Sequence, residues 1–195
     1  MFAAGGQLPE SVGLWTASLQ LRPRRVNGGQ HMLVRVFGME RVVVFGRGGA
    51  GKSTLALELS RATGLPVVEL DKQFWSNDLD PLPLGEWARV QEQLAAGQQW
   101  ILDGDLGPYD APEPRLRRAD TVVVLDLSLI RCAWRAARRA REGAGFWRWL
   151  LTWRWRSRGI VLDAVAAYAP QARLSVLRSP AQVRRFLATA SMTTS

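Results

Sequence analysis

Eight consecutive residues, Gly46-Arg47-Gly48-Gly49-Ala50-Gly51-Lys52-Ser53, match the pattern G-x-x-x-x-G-K-[ST], and Thr54 follows. Each position has a chemical reason. Glycine lets the backbone curl so that successive N–H groups, those of Gly46, Gly48, Gly49, Ala50 and Gly51 among them, point inward at phosphate oxygens. A helix opening at Lys52 would add the positive end of its dipole. Lys52 supplies a point charge for the β- and γ-phosphates, Ser53 a hydroxyl for Mg²⁺, and Thr54 extends the cradle. The segment therefore predicts binding of a nucleoside triphosphate with its magnesium ion.

Three aspartates follow apolar runs: Asp71 after PVVEL, Asp103 after QWIL and Asp126 after TVVVL. In open α/β sheets ligands bind outside the carboxyl ends of the strands, so strand-end carboxylates can converge on a phosphate loop. Asp103 is the candidate acid for Mg²⁺ or its waters. Asp71 is the candidate to orient or deprotonate a substrate hydroxyl. Asp126 is expected instead to cap a helix beginning near Ser128.

The elements that must hold these groups can be read from the pattern. The runs RVVVF (41–45), PVVEL (66–70), QWIL (99–102), TVVVL (121–125) and RLSVL (173–177) are nearly continuous in apolar character, as strands covered on both faces are. Helical stretches are expected near 52–62, 84–97, 128–141, 159–168 and 180–189. The last is well started, with Ser179 as N-cap, Pro180 next and Gln182 three residues after the cap. Strands alternating with helices argue for a parallel sheet wrapped by helices, an α/β class.

The charge is concentrated. The chain of 195 residues has a formal net charge of +9, and the 44 residues from Arg115 to Arg158 hold twelve arginines against three acids, which is the whole excess. Arg131, Arg135 and Arg138 recur at helical spacing and share one face. Beside a phosphate loop such a face suits a clamp on transferring phosphoryl oxygens, with Arg135 and Arg138 as its candidate members. Downstream, Phe146 to Arg156 interleaves arginine with four tryptophans. That stretch reads as an amphipathic lid helix with Trp149 and Trp153 at i, i+4. Stacking on nucleic acid is the alternative.

Composition excludes other classes. At 47% hydrophobic and 22% charged the chain can bury a core of ordinary size, which rules out disorder and collagen-like repeats. The single Cys132 cannot form an intramolecular disulfide, favouring a reducing, cytoplasmic setting. No apolar run reaches the roughly 18 residues of a membrane span. Residues 1–38 do not join the strand–helix pattern and are expected to form a poorly structured extension, 39–190 the domain and 191–195 a tail. A transit peptide is the other reading of the extension, since 11–39 contains no acid.

Several motifs together resemble the bacterial P-loop kinase-like family related to adenylate kinases and often labelled topology modulation proteins. They are RVVVFGRGGAGKSTLA (41–56), TGLPVVELDKQFW (63–75), Glu86-Trp87, WILDG (100–104), RLRRADTVVVLDL (115–127) and VLRSPAQVRRFL (176–187). The resemblance implies a five-stranded parallel sheet of order 2-3-1-4-5 covered by helices on both faces, with a helical arginine- and tryptophan-rich lid over about 131–158. It also implies ATP and Mg²⁺ as cofactors. Gly51, Lys52 and Ser53 would serve ATP, Asp103 the metal, and the arginines around 131–139 the lid. One departure alters the acceptor side: such proteins continue Asn-Tyr after the Asp-Gly pair, whereas here Asp105-Leu106 follow, with Tyr109 as the candidate replacement.

Two functions follow. The first is an ATP-dependent kinase acting on a small molecule or nucleotide. The second is an ATP-binding regulator that contacts nucleic acid through its basic segment; an ATP-hydrolysing drain without acceptor is a weaker third.

Overall fold

The computed structural model describes residues 38–74, 82–138 and 144–192. All of them belong to the unit Arg35–Ser195. The extension expected over 1–38 lies, but for its last residue, outside the described residues, as do Arg139 and Arg141 and most of the expected tail.

Five strands form one sheet: β1 (Arg41–Gly46), β2 (Val67–Glu69), β3 (Trp100–Asp103), β4 (Thr121–Leu125) and β5 (Arg173–Leu177). Their order is β2-β3-β1-β4-β5 and every pairing is parallel. The helices are α1 (Lys52–Thr63), α2 (Leu70–Phe74), α3 (Leu84–Leu94), α4 (Glu113–Leu116), α5 (Leu129–Ala137), α6 (Ala144–Tyr168) and α7 (Pro180–Met192). The expected sheet order is thus the observed one.

The alternation of side chains along each strand explains why both faces need cover. Val42 and Val44 join Ile101, Val123 and Leu125 in one core with Leu55, Ala56 and Leu59 of α1, Cys132 of α5 and Ala190 of α7. Val43 and Phe45 point the other way, into a second core with Trp87 of α3, Leu116 of α4 and Trp153, Val161 and Val165 of α6. Each such side chain, once fully buried, contributes about 1.5–3 kcal/mol of transfer free energy. The amino end of the sheet is tied as well: Asp120, just before β4, accepts the Arg41 N–H at 2.8 Å and fixes the start of β1 beside it.

Two sequence expectations change. The lid helix over 146–156 and the helix expected at 159–168 are one continuous α6 of 25 residues. Gly159 does not interrupt it, because the cost of one glycine inside a helix, about 1 kcal/mol, is offset by the burial of Leu150, Trp153, Val161 and Val165 on either side. The second concerns Asp126. Ser128 is the N-cap of α5 and no side chain caps that helix. Asp126 is instead buried and turned toward arginines, with Arg158 at 3.0 Å and Arg154 and Arg178 at 3.9 Å. A carboxylate with almost no water access is stabilised more by two arginines of α6 and one just past β5 than by a helix N-terminus it would have to reach alone.

Candidate functional site

The strand order makes β1 the point at which the chain crosses from one half of the sheet to the other, with β3 on one side and β4 on the other. Ligand crevices of open α/β sheets lie at that point, beyond the carboxyl ends. The loop 46–51 leaves β1 there. Gly51 is the N-cap of α1 with φ 92°, a left-handed conformation that glycine adopts without strain, and no side chain caps the helix. The first N–H groups of α1 are therefore left for an anion. Lys52 and Ser53 open the helix, Lys52 half-buried, Ser53 and Thr54 exposed.

The outer side of the loop is covered. Gly46 backs onto Leu125, and Gly49 lies against the Cys132 carbonyl of α5. The Ala50 carbonyl accepts Arg135 Nη1 at 3.3 Å, so Arg135 is brought to the loop. Gly48 packs under the rings of Phe146 and Trp149 at the start of α6, close enough that any larger side chain would overlap them. Arg47, within the loop, is almost fully buried and lies over the Trp153 ring at 5.3 Å. Burial pushes its guanidinium below the ordinary arginine value.

Three carboxylates gather around Lys52. Asp103, at the end of β3, is 3% exposed, and its Oδ1 is buried without a hydrogen-bond partner. Burial pushes its carboxyl above the ordinary range, while the Lys52 charge and the Ser53 hydroxyl pull it back. Asp71, in the first turn of α2, stays open to solvent on one side of the cleft. Its carboxyl is also raised, first by desolvation and further by Asp110 and Glu69, against the pull of Lys52. Asp105 is the third. It is buried, accepts the Trp153 Nε1 proton at 2.7 Å and the Gly107 N–H at 3.0 Å, and desolvation raises it against the pull of Lys52.

Past the end of β3 lies a polar cluster that motif reading missed. Arg115, fully buried, grips Asp110 with both terminal nitrogens, at 2.8 and 2.6 Å. It also donates to Gln91 Oε1 and stacks on Phe45 at 4.8 Å. Burial alone would raise Asp110, but the Arg115 charge and hydrogen bonds outweigh it and hold the carboxyl below its ordinary value. The i, i+5 spacing of this pair within a turn region gives no periodic signal, so only the fold shows it.

The arginine segment is largely engaged within the chain. Arg117 meets Glu113 at 2.7 Å, Arg118 donates to the Ala95 carbonyl at 2.9 Å, and Arg158 holds Asp126. Arg138 lies over the Trp134 ring at 4.6 Å, and no described contact takes it to the loop that Arg135 reaches. Of the four tryptophans, Trp153 is buried, Trp147 and Trp149 are half-buried, and Trp155 is 80% exposed. Tyr109, 53% exposed, faces the Phe74 ring at a centroid distance of 6.4 Å.

The residues present suit a hard cation. Ser53 and Asp103 offer oxygens, and the unpartnered buried Oδ1 of Asp103 is a polar atom lacking the partner that its burial calls for. Among the described residues no cluster of three or more acids, histidines or cysteines could hold a metal alone. Magnesium takes one or two protein oxygens and completes its shell with phosphate and water. No helix among the described residues is long and apolar enough to cross a membrane.

No protein-family model matches the sequence, and no curated protein matches it. Solved structures do match in shape. Shikimate kinase from Acinetobacter baumannii in complex with shikimate is 17% identical, with a TM-score of 0.53 over 77% of this chain and 90% of that one. A sugar kinase from Janibacter sp. aligns at 22% identity and TM-score 0.49, covering 80% of this chain and 99% of that one. A gluconokinase from Sinorhizobium meliloti aligns at 14% and 0.47, covering 80% and 91%. The five-stranded parallel sheet of order 2-3-1-4-5 with its flanking helices is the P-loop kinase fold.

Proposed function

We propose that the chain is an ATP-dependent phosphotransferase that moves the γ-phosphoryl group of Mg-ATP to the hydroxyl of a small molecule. The observation that carries this reading is the uncapped N-terminus of α1 at the phosphate loop, with the buried and unpartnered Asp103 Oδ1 at the end of the neighbouring β3. The loop N–H groups and α1 hold the triphosphate, and Lys52 neutralises its β- and γ-oxygens. Ser53 and Asp103 hold magnesium, which when bound draws charge from the phosphate oxygens.

Asp71 receives the acceptor. The acceptor oxygen bonds to the γ-phosphorus, the bond from that phosphorus to the bridging oxygen breaks, and its electron pair leaves with ADP. The hydroxyl proton passes to the Asp71 carboxylate, which stands open to an incoming hydroxyl. Arg135, anchored on the Ala50 carbonyl, stands beside the loop to stabilise the transferring group. Arg138 would have to leave Trp134 to join it. The motifs 63–75 and 100–104 support the narrower resemblance to the topology modulation group, and the lone Cys132, buried and unpaired, supports a cytoplasmic setting.

The test is transfer from labelled ATP to a panel of nucleoside monophosphates and hydroxylated metabolites, beside Lys52→Ala. An acceptor-dependent product that falls on the order of 10²–10³-fold in the variant is expected. No acceptor-dependent transfer, with Lys52→Ala indistinguishable from wild type, would sink the kinase reading.

A further inference from the structure

Helix α6 turns different side chains to the core and to solvent. Leu150, Trp153, Val161 and Val165 are buried on one face. On the other, Leu151 is 48% exposed and Trp155, one turn further on, is 80% exposed. Ile160 follows on the flank at 68%. Single apolar residues on a surface are ordinary. Tryptophan, however, is highly buried on average, and here it stands out of the protein beside a leucine with an isoleucine near.

Cations stand among these residues. From Ala144 to Leu162 the helix carries four arginines and no acid. Arg148 and Arg154 are each three positions from Leu151, which places them beside it, and Arg156 is four positions before Ile160. All three are exposed. Arg154 keeps 61% of its side chain in solvent although its Nε lies 3.9 Å from Asp126. Arg158, the fourth, is held by Asp126 at 3.0 Å. The outward surface of α6 is therefore apolar along its middle and cationic at its sides. The side chains that meet the phosphate loop and the loop after β3 are different ones, Phe146 and Trp149 at Gly48 and Trp153 at Arg47 and Asp105.

An occupant of this face must be anionic to meet the arginines and must take up aliphatic as well as aromatic side chains. A second copy of the chain fails the first condition, since a two-fold contact of a patch with one sign of charge sets like against like. A nucleic acid offers phosphates, but its bases gain from stacking on aromatic rings, which Leu151 and Ile160 lack. An anionic bilayer meets both conditions. Its headgroup phosphates suit Arg148, Arg154 and Arg156, and its acyl chains suit Leu151, Trp155 and Ile160, with the indole at the headgroup level where tryptophan is enriched. We infer that α6 docks the protein on membranes rich in anionic lipid, through the face made by Leu151 and Trp155 with Arg148, Arg154 and Arg156 at its sides. Four arginines between Ala144 and Leu162 make a span costly, so the helix lies in the plane of the interface.

Co-sedimentation of the full chain with vesicles tests this, with phosphatidylcholine alone set against phosphatidylcholine containing about one part in three of phosphatidylglycerol. Partition onto the anionic vesicles is expected to be at least about tenfold stronger and to weaken as salt rises. Net charge draws any basic protein to such a surface, so the deciding variant keeps every charge. Leu151→Ser with Trp155→Ser is expected to lose at least about tenfold in partition, with Tm within about 2 °C of wild type because both side chains are exposed. Trp155→Leu should keep most of the binding, since acyl chains accept leucine as readily. No partition onto the anionic vesicles, equal partition onto both kinds, or undiminished binding by the double serine variant would overturn the inference. A single-stranded oligonucleotide that displaces the vesicles and loses its own binding in Trp155→Leu would overturn it in favour of nucleic acid. A dimer in sedimentation velocity that the double serine variant abolishes would overturn it in favour of a second copy.

Discussion

Trp153 Nε1 donates to Asp105 Oδ2 at 2.7 Å, joining the middle of α6 to the loop after β3 across 48 positions of sequence. The same ring lies under Arg47 of the phosphate loop. One tryptophan thus touches both the phosphate loop and the loop after β3. Trp153→Phe keeps most of the buried ring and removes the donor. Asp105 is left with the Gly107 N–H alone, and the variant is expected to lose about 1–3 kcal/mol in urea unfolding. An unchanged midpoint would show that the bond adds nothing.

Asp105 itself carries an opposite pH signature. Its folded carboxyl is raised by burial, so the stability it contributes is full below the ordinary aspartate value of about 3.9 and is lost as pH rises through its folded value. Asp105→Asn removes that ionisation. Its thermal midpoint relative to wild type should be higher at pH 7 than at pH 3, measured in the absence of ATP.

Arg115 and Asp110 behave in the reverse sense. Asp110 is held below its ordinary value, so its stabilisation is present above about pH 3.9 and is lost as pH falls through the folded value. Arg115→Met leaves a buried carboxylate without its cation and should cost about 3–5 kcal/mol at neutral pH. The penalty should shrink in acid, where Asp110 can protonate. Chemical denaturation at two pH values reads both effects.

Asp103→Asn keeps the shape of the strand end and removes the charge proposed to hold magnesium. The concentration of Mg²⁺ needed for half-maximal transfer should rise about 10- to 100-fold, while ATP binding without metal changes little. Equal loss at all magnesium concentrations would argue against a metal-side role.

Gly48→Val places a branched side chain where the Phe146 and Trp149 rings already stand. Overpacking of this kind costs about 1–3 kcal/mol, and for a chain of this size each kcal/mol lowers Tm by roughly 2–4 °C. Tryptophan emission should shift as the start of α6 is displaced. A variant with wild-type Tm and emission would mean that the helix does not press on the loop.

The phosphate loop, the strands and the three strand-end aspartates were legible in the chain because each is a local pattern. A contiguous motif carries its own geometry, and near-continuous apolar runs mark strands that need cover on both faces. Asp103 could be placed by the same logic as the last residue of β3, whereas Asp71 falls two residues past β2, in the first turn of α2. What each buried charge would meet was decided only by folding. Asp126 looked like a helix cap from its position before Ser128, yet its partners come from α6 and the end of β5. Asp105 looked like a departure from a motif until Trp153 was brought against it. The arginine segment looked like one cationic surface, but Arg115, Arg117, Arg118 and Arg158 each find a carboxylate or carbonyl within the chain. The reason is physical: a backbone pattern depends on neighbours in sequence, whereas a charge removed from water takes whichever partner the packed elements set within a few ångströms of it.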